Sequence, residues 1–161
     1  MTPIRFRGKD AKTGEWLYGY YVEQHLPEYD TDQPDRITGY TNLPMLFNDE
    51  PGQRDGCYWH EVVYNTVGQF STLRDKNGKE IYAGDIIYSE FLDGSNCHCL
   101  VGWNDEEACF GLMDEYAFRS KQVGFNYPKF DSLLLLNFRN HGTKFEVVGN
   151  IHDNPELIKR K

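Results

Sequence analysis

The chain reads as mainly β, a β-rich α+β fold with an N-terminal hairpin lobe, a small SH3-like β-barrel and a short C-terminal helix. Three observations predict this. Aromatic residues make up 15% of the 161 residues, including 11 Tyr and 10 Phe, and 15 Gly accompany them; flat bulky side chains suit pleated surfaces and Gly suits the turns between strands. Apolar stretches are short and separated by polar clusters rich in Gly, Asn and Asp, the punctuation of hairpins. The length fits one domain or two small lobes able to bury a core. Residues 1–65 are expected to form the hairpin and loop-rich lobe and residues 66–161 the barrel, packed together as one unit.

In order along the chain, Ile4 and Phe6 precede a polar turn at Asp10-Ala11-Lys12-Thr13-Gly14-Glu15, and Trp16, Leu17, Tyr18, Tyr20 and Val22 follow it. This predicts a hairpin with Gly14 in a left-handed conformation. Pro27, Pro34, Pro44 and Pro51 interrupt residues 23–56. Because Pro removes a ladder donor, the expectation there is loop, with at most short edge strands near Ile37–Tyr40 and Leu43–Phe47 and with Leu46 and Phe47 pinning the loop to the core. Strand character returns at Cys57–Val63.

The central stretch sets Val67, Phe70, Leu73 and Ile81 around Asp75-Lys76-Asn77-Gly78-Lys79. Asn-Gly adopts φ > 0 at little steric cost, so two extended arms should meet at a tight turn with Gly78 left-handed. Ile81-Tyr82 then leads through a bend at Ala83-Gly84-Asp85 into Ile86-Ile87-Tyr88, β-branched and aromatic residues that suit a buried strand. Further strands are expected at Cys97–Trp103, Cys109–Met113 and Phe145–Ile151. Residues 133–138, with four consecutive Leu, fit a buried strand or a helical turn; the polar Asn140–Thr143 after them favours the strand. Five such strands suit a small closed barrel. Asn154 as cap, Pro155 at the first position and Glu156 in the first turn predict a short helix from residue 155.

These motifs carry a family resemblance. Thr66-Val67-Gly68-Gln69-Phe70, Leu73, Asp75-Lys76-Asn77-Gly78-Lys79-Glu80-Ile81-Tyr82 and Gly84-Asp85-Ile86-Ile87 resemble the central signature of the YopX-like proteins, a family encoded in phages and prophages. Ile4–Asp10 resembles the family's opening, and Phe145-Glu146-Val147-Val148-Gly149-Asn150-Ile151 with Asp153–Leu157 its close. The matches fall in the right order and cover about a third of the chain, whereas residues 20–60 and 90–140 match poorly. The resemblance implies an origin but no mechanism, since the family has no established activity.

Residues bearing chemistry form no catalytic constellation. Cys97-His98-Cys99 is too closely spaced for paired zinc ligands on a turn; on a strand it directs both thiols to one face and His98 to the other. Packing explains it, and no metal is expected. Asp105-Glu106-Glu107 and Asp114-Glu115 read as solvated turns. The five His lack a metal-ligand spacing, no Ser sits in a nucleophile elbow, and no Gly-rich phosphate loop is present. Asp85 is the polar residue closest to a ligand-facing role, although an Asp in that position commonly accepts backbone N–H bonds and fixes a bend. Neither an enzyme nor a bound cofactor is expected.

Net charge is -8, from 17 Lys plus Arg against 25 Asp plus Glu, so the long-range field repels phosphate backbones. Mean hydropathy is -0.68, no apolar run is long enough to span a bilayer, and the first residues do not read as a secretion signal. The expectation is a protein of the bacterial host cytoplasm with reduced thiols, acting by protein–protein contact and self-association, its partners being a second copy and a phage or host protein. The alternative is a small nucleic-acid-binding module presenting Tyr88, Phe91, Trp103 and Phe110 to a single strand.

Overall fold

The computed structural model describes residues 4–29, 31–33, 35, 37–48, 58–90, 96–114, 117–118 and 145–158. Among the described residues ten strands run antiparallel to their neighbours: β1 (Phe6–Lys9), β2 (Trp16–Tyr29), β3 (Ile37–Asn48), β4 (Tyr58–Glu61), β5 (Gly68–Arg74), β6 (Glu80–Tyr82), β7 (Asp85–Glu90), β8 (Asn96–Asn104), β9 (Cys109–Asp114) and β10 (Phe145–Asn150). The mainly β class predicted from composition is the class observed. The chain divides into two compact units, Met1–Gln69 and Phe70–Lys161. The expected strand at 133–138, its turn at Asn140–Thr143, Cys57 and Phe91 lie outside the described residues.

In the first unit, β4, β3, β2 and β1 lie side by side in that order. The β1–β2 hairpin closes as expected, with Gly14 at φ 73° and its N–H donated to the Asp10 carbonyl at 2.9 Å. Residues 23–29 and 37–48 correct the sequence reading. Instead of loop with short edge strands, β2 runs for 14 residues and β3 for 12, paired from Tyr20↔Phe47 to Tyr29↔Ile37. The reason is the phase of the prolines. In an antiparallel ladder a residue's N–H and C=O point to the same side, and successive residues alternate. The Pro44 carbonyl accepts the Val62 N–H at 2.9 Å, so Pro44 turns its missing donor away from β2. Pro27, paired with Tyr40 four positions along the same register, has the same phase and points away from β3. Neither proline removes a β2–β3 bond.

In the second unit, β5 and β6 form the hairpin read from the central stretch. Asp75 N–H donates to the Lys79 carbonyl and Gly78 N–H to the Asp75 carbonyl, both at 2.9 Å, and Gly78 sits at φ 82° with open space where a side chain would project. The hairpin is irregular between Phe70 and Arg74. There Thr72 holds φ 68°, while the buried Ser71 hydroxyl donates to the Ile81 carbonyl at 2.7 Å and fills the break in the ladder. The remaining strands form a four-stranded sheet in the order β10-β7-β8-β9. Among the described residues no pairing joins β9 to β10, so the closure expected of an SH3-like barrel is not seen there.

Both faces of this sheet are covered. Ile87, Cys99, Val101, Leu112 and Val147 pack with Ile81 on one side, and Ile86, Leu100 and Met113 pack with Ala117 and Ile158 on the other. Ile86 and Ile87 are each 0% exposed, which is why β7 reads as a continuous apolar run rather than an alternation. The helix expected from residue 155 is a single 3₁₀ turn, Pro155–Leu157, with Pro155 at its start. Asn154 does not cap it through its side chain; its Oδ1 faces backward to accept the Asn150 N–H at 3.4 Å.

Gly78 and Thr72 occupy the same disfavoured region with opposite suitability. Gly78→Val should lower stability by about 1–2 kcal/mol through backbone strain alone. Thr72→Asn, which tolerates a left-handed φ, should raise the melting temperature. Thermal unfolding of the two variants beside the parent checks both signs.

Candidate functional site

The signature residues converge on the Asp75 carboxylate. Its Oδ1 accepts the backbone N–H groups of Asn77 and Lys79 at 2.8 and 2.9 Å, and its Oδ2 accepts that of Val147 on β10 at 3.1 Å. Around it the Lys76 N–H donates to the Phe145 carbonyl at 3.1 Å, the Lys76 ammonium pairs with Glu146, and the Asn77 amide donates to Glu146 at 3.3 Å. The turn is therefore clasped to a strand some 70 residues later in the chain. Burial alone would raise the Asp75 carboxyl, but the N–H bonds from Val147, Lys79 and Asn77 outweigh it and hold the group below the usual carboxylate range.

A second set of contacts sits at the bend. Gly84, at φ 85°, donates its N–H to the Val101 carbonyl and accepts the Ile151 N–H, each at 2.8 Å. Asp85 Oδ2 accepts the Tyr82 N–H at 2.8 Å across the bend. Tyr82 packs on Phe70 with ring centroids 5.4 Å apart, and its hydroxyl donates to Glu80 at 2.6 Å; Ile81 is in the core. Asn150 closes the far end: its Oδ1 accepts the N–H groups of His152 and Asp153, both at 2.9 Å, and its amide donates to Asp153 at 2.8 Å. A Cβ on Gly149 would stand 2.6 Å from Asn154 Oδ1 and 2.9 Å from Leu157. Val67 follows the 3₁₀ turn Tyr64–Thr66, and Gly68 and Gln69 pair with Arg7 and Phe6 on β1. The signature thus splits between the two units, and each part is engaged in turn closure, strand pairing or packing.

Cys97 and Cys99 share a face with the apolar cluster, their sulfurs 3.3 Å apart, while His98 stacks beside Tyr88 at 5.5 Å on the opposite face. Among the described residues no group of three or more His, Cys, Asp or Glu is placed to hold a metal. Asn104 Oδ1 accepts the Glu106 N–H at 3.0 Å, at the turn that holds Asp105-Glu106-Glu107, and Asp114, the last residue of β9, accepts the Ala117 N–H through Oδ1 at 2.7 Å, while Glu115 lies outside the described residues. Asp10 was given no role in the sequence reading. Its Oδ1 accepts the Lys12 and Thr13 N–H groups at 2.8 Å each, and its Oδ2 faces His60 Nδ1 at 3.2 Å. The backbone bonds, from Thr13 and then Lys12, hold its carboxyl below the ordinary value. An Asp opening a turn toward a left-handed Gly was the available signal.

What faces water is an aromatic surface of the first unit. Tyr18, Tyr20 and Val22 alternate on one face of β2 and are 40–48% exposed. Tyr20 pairs across to Phe47 on β3, and Phe47 to Trp59 on β4, with ring centroids 6.5 and 5.2 Å apart; Trp59 is 50% exposed. At the β1 side the Arg7 guanidinium lies 4.6 Å from the Trp16 ring and the Lys9 ammonium 5.5 Å. The nucleic-acid alternative draws its aromatics from the later strands. There Trp103 and Phe110 meet edge to face at 5.2 Å, but Tyr88 and Trp103 belong to opposite faces of the sheet, because Tyr88 pairs with His98 and Trp103 stands an odd number of residues further along β8.

Two consequences are measurable. The Asp75 carboxyl titrates in the folded protein below its ordinary 3.8, so its contribution is complete above about pH 4 and is lost as pH falls through the folded value. Asp75→Asn turns an amide donor toward a backbone donor; it should cost about 1–3 kcal/mol at pH 7 and leave a shallower acid dependence of stability, measured by urea unfolding from pH 7 to 3. Gly149→Ala should destabilise by about 1–3 kcal/mol through overpacking, and less in an Asn154→Ala background, where the closest of the clashing atoms, Asn154 Oδ1, is gone while Leu157 stays; a double-mutant cycle reads the difference.

Residues 5–159 match the family model described as YopX protein. No curated protein matches the chain. Among solved structures, the crystal structure of protein EF1440 from Enterococcus faecalis is similar, with 19% sequence identity and a TM-score of 0.46 over 99% of this chain and 100% of that one. The family match takes in both compact units and every signature residue named above, and on that ground the chain belongs to the YopX protein family.

Proposed function

We propose that this protein is a non-enzymatic accessory protein of a phage or prophage, working in the bacterial host cytoplasm through protein–protein contact and self-association, without metal or cofactor. The observation that carries this reading is the aromatic row Tyr20, Phe47 and Trp59 across three strands, with Tyr20 and Trp59 solvent-facing. Tyr and Trp combine a large apolar area with a polar tip and low rotamer entropy, the properties enriched in protein interfaces. The polar signature residues, by contrast, are spent on holding turns. The nucleic-acid alternative is less well supported, since Tyr88 and Trp103 lie on opposite faces of the sheet and the chain carries a net charge of -8.

Light scattering over a dilution series should give a mass above the 18.8 kDa of one chain, falling on dilution; a monomer at every concentration removes the self-association. Capture from a lysate of phage-infected or prophage-induced host should retain proteins that the Tyr20→Ser/Trp59→Ser variant does not. Both residues are exposed, so the variant should keep the parent's circular dichroism. Identical captures by the two would show that the aromatic row is not the contact.

A further inference from the structure

We propose that the outer edge of β3, over Ile37–Leu43, pairs antiparallel with the same segment of a second copy of this chain. The inference rests on the self-association reading above and names the strand that carries it. β1 flanks β2 only as far as Gly19, and β4 flanks β3 only from Met45 onward, with one further bond from Val62 to Pro44. Beyond those limits the described residues form a two-stranded ribbon. Val22, Leu26 and Ile37 are exposed on it, and a two-stranded ribbon on its own is marginal in water.

The two edges of this ribbon are not alike. By the alternation established at Pro44, the odd residues of β2 and the even residues of β3 direct their N–H and C=O groups outward. On the β2 edge the outward positions include Pro27, which has no donor, and that strand also carries Glu23 and Glu28. Proline and charge are the devices by which edges are kept from pairing. The β3 edge has neither: Ile37-Thr38-Gly39-Tyr40-Thr41-Asn42-Leu43 contains no Pro and no charged residue, and Tyr40 and Asn42 present intact outward backbone groups. An unguarded uncharged edge is a pairing site or an aggregation hazard.

A second copy is the occupant that the uncharged edge admits. Each chain carries a net charge of -8, so two copies repel over most of their surfaces and meet at least cost along a stretch with no charge at all. Pairing the segment with itself about a two-fold axis satisfies the same bonds twice and sets no like charges opposite one another. A basic peptide would instead be drawn to the acidic β2 edge.

Asn42→Pro tests this, because it removes an outward backbone donor and no β2–β3 backbone bond; the side-chain bond between Asn42 Oδ1 and His25 Nδ1 at 2.5 Å that it also removes is lost equally in His25→Pro. Association by light scattering should weaken by at least about tenfold, the loss expected of an interfacial backbone hydrogen bond and its symmetry mate, with circular dichroism unchanged. His25→Pro, the outward counterpart on β2, should associate like the parent. Amide exchange on the parent gives a reading independent of folding in the variants: the Tyr40 and Asn42 N–H groups should be protected at high protein concentration and lose protection on dilution. Asn42→Pro associating like the parent, or exchange at those two amides independent of concentration, overturns the β3 pairing while self-association stands. A parent that is monomeric throughout overturns both.

Discussion

The second unit depends on one carboxylate. Asp75 accepts backbone N–H groups from its own turn and from Val147, so a local five-residue turn and a strand far along the chain are specified by the same two oxygen atoms. A hairpin by itself would close on Gly78 and the Asp75–Lys79 bonds; what Asp75 adds is register between the turn and β10. Lys76 and Glu146 reinforce this at the surface, where an exposed ion pair contributes little by itself, whereas the buried bonds to Asp75 would leave orphaned donors if broken.

That register has a consequence for β7. Held beside β10 on one flank and β8 on the other, it places adjacent isoleucines into two separate apolar clusters. The bend that starts it is bonded to Val101 on one side and Ile151 on the other through Gly84, and Gly149 and Asn150 finish the strand to which Val147 belongs. The residues resembling the family signature in this unit are thus successive parts of one network. Its job is to hold β7 between its neighbours, and this is why so many polar side chains there look chemical in the sequence yet are occupied by backbone groups.

The first unit is organised differently. Its polar anchor is Asp10, which ties the β1–β2 turn and faces His60, and its aromatic rings lie in a row on an exposed face rather than in a core. The ribbon of β2 and β3 extends past both flanking strands, and only one of its edges carries proline and acidic residues. Exposed aromatic side chains therefore collect in the region that least resembles the family signature, while the signature maintains the fold.

The sequence alone determined the features set by residues close together in the chain. Asn77-Gly78 dictated the hairpin turn because only glycine enters that φ region without penalty. Asp10 through Gly14 dictated the first turn, Ile86-Ile87 a strand buried on both faces, and Cys97-His98-Cys99 the alternation of two thiols against one imidazole. Tertiary structure decided whatever depends on which side a backbone group faces or which distant strand it meets. Pro27 and Pro44 signal loop when read locally, yet both sit within strands, since the cost of a missing N–H depends on whether a neighbour stands on that side. The bond from Val147 to Asp75 and the division of Tyr88 from Trp103 arise in the same way: they follow from register, and register is fixed by pairing across the sheet rather than by the order of residues within a strand.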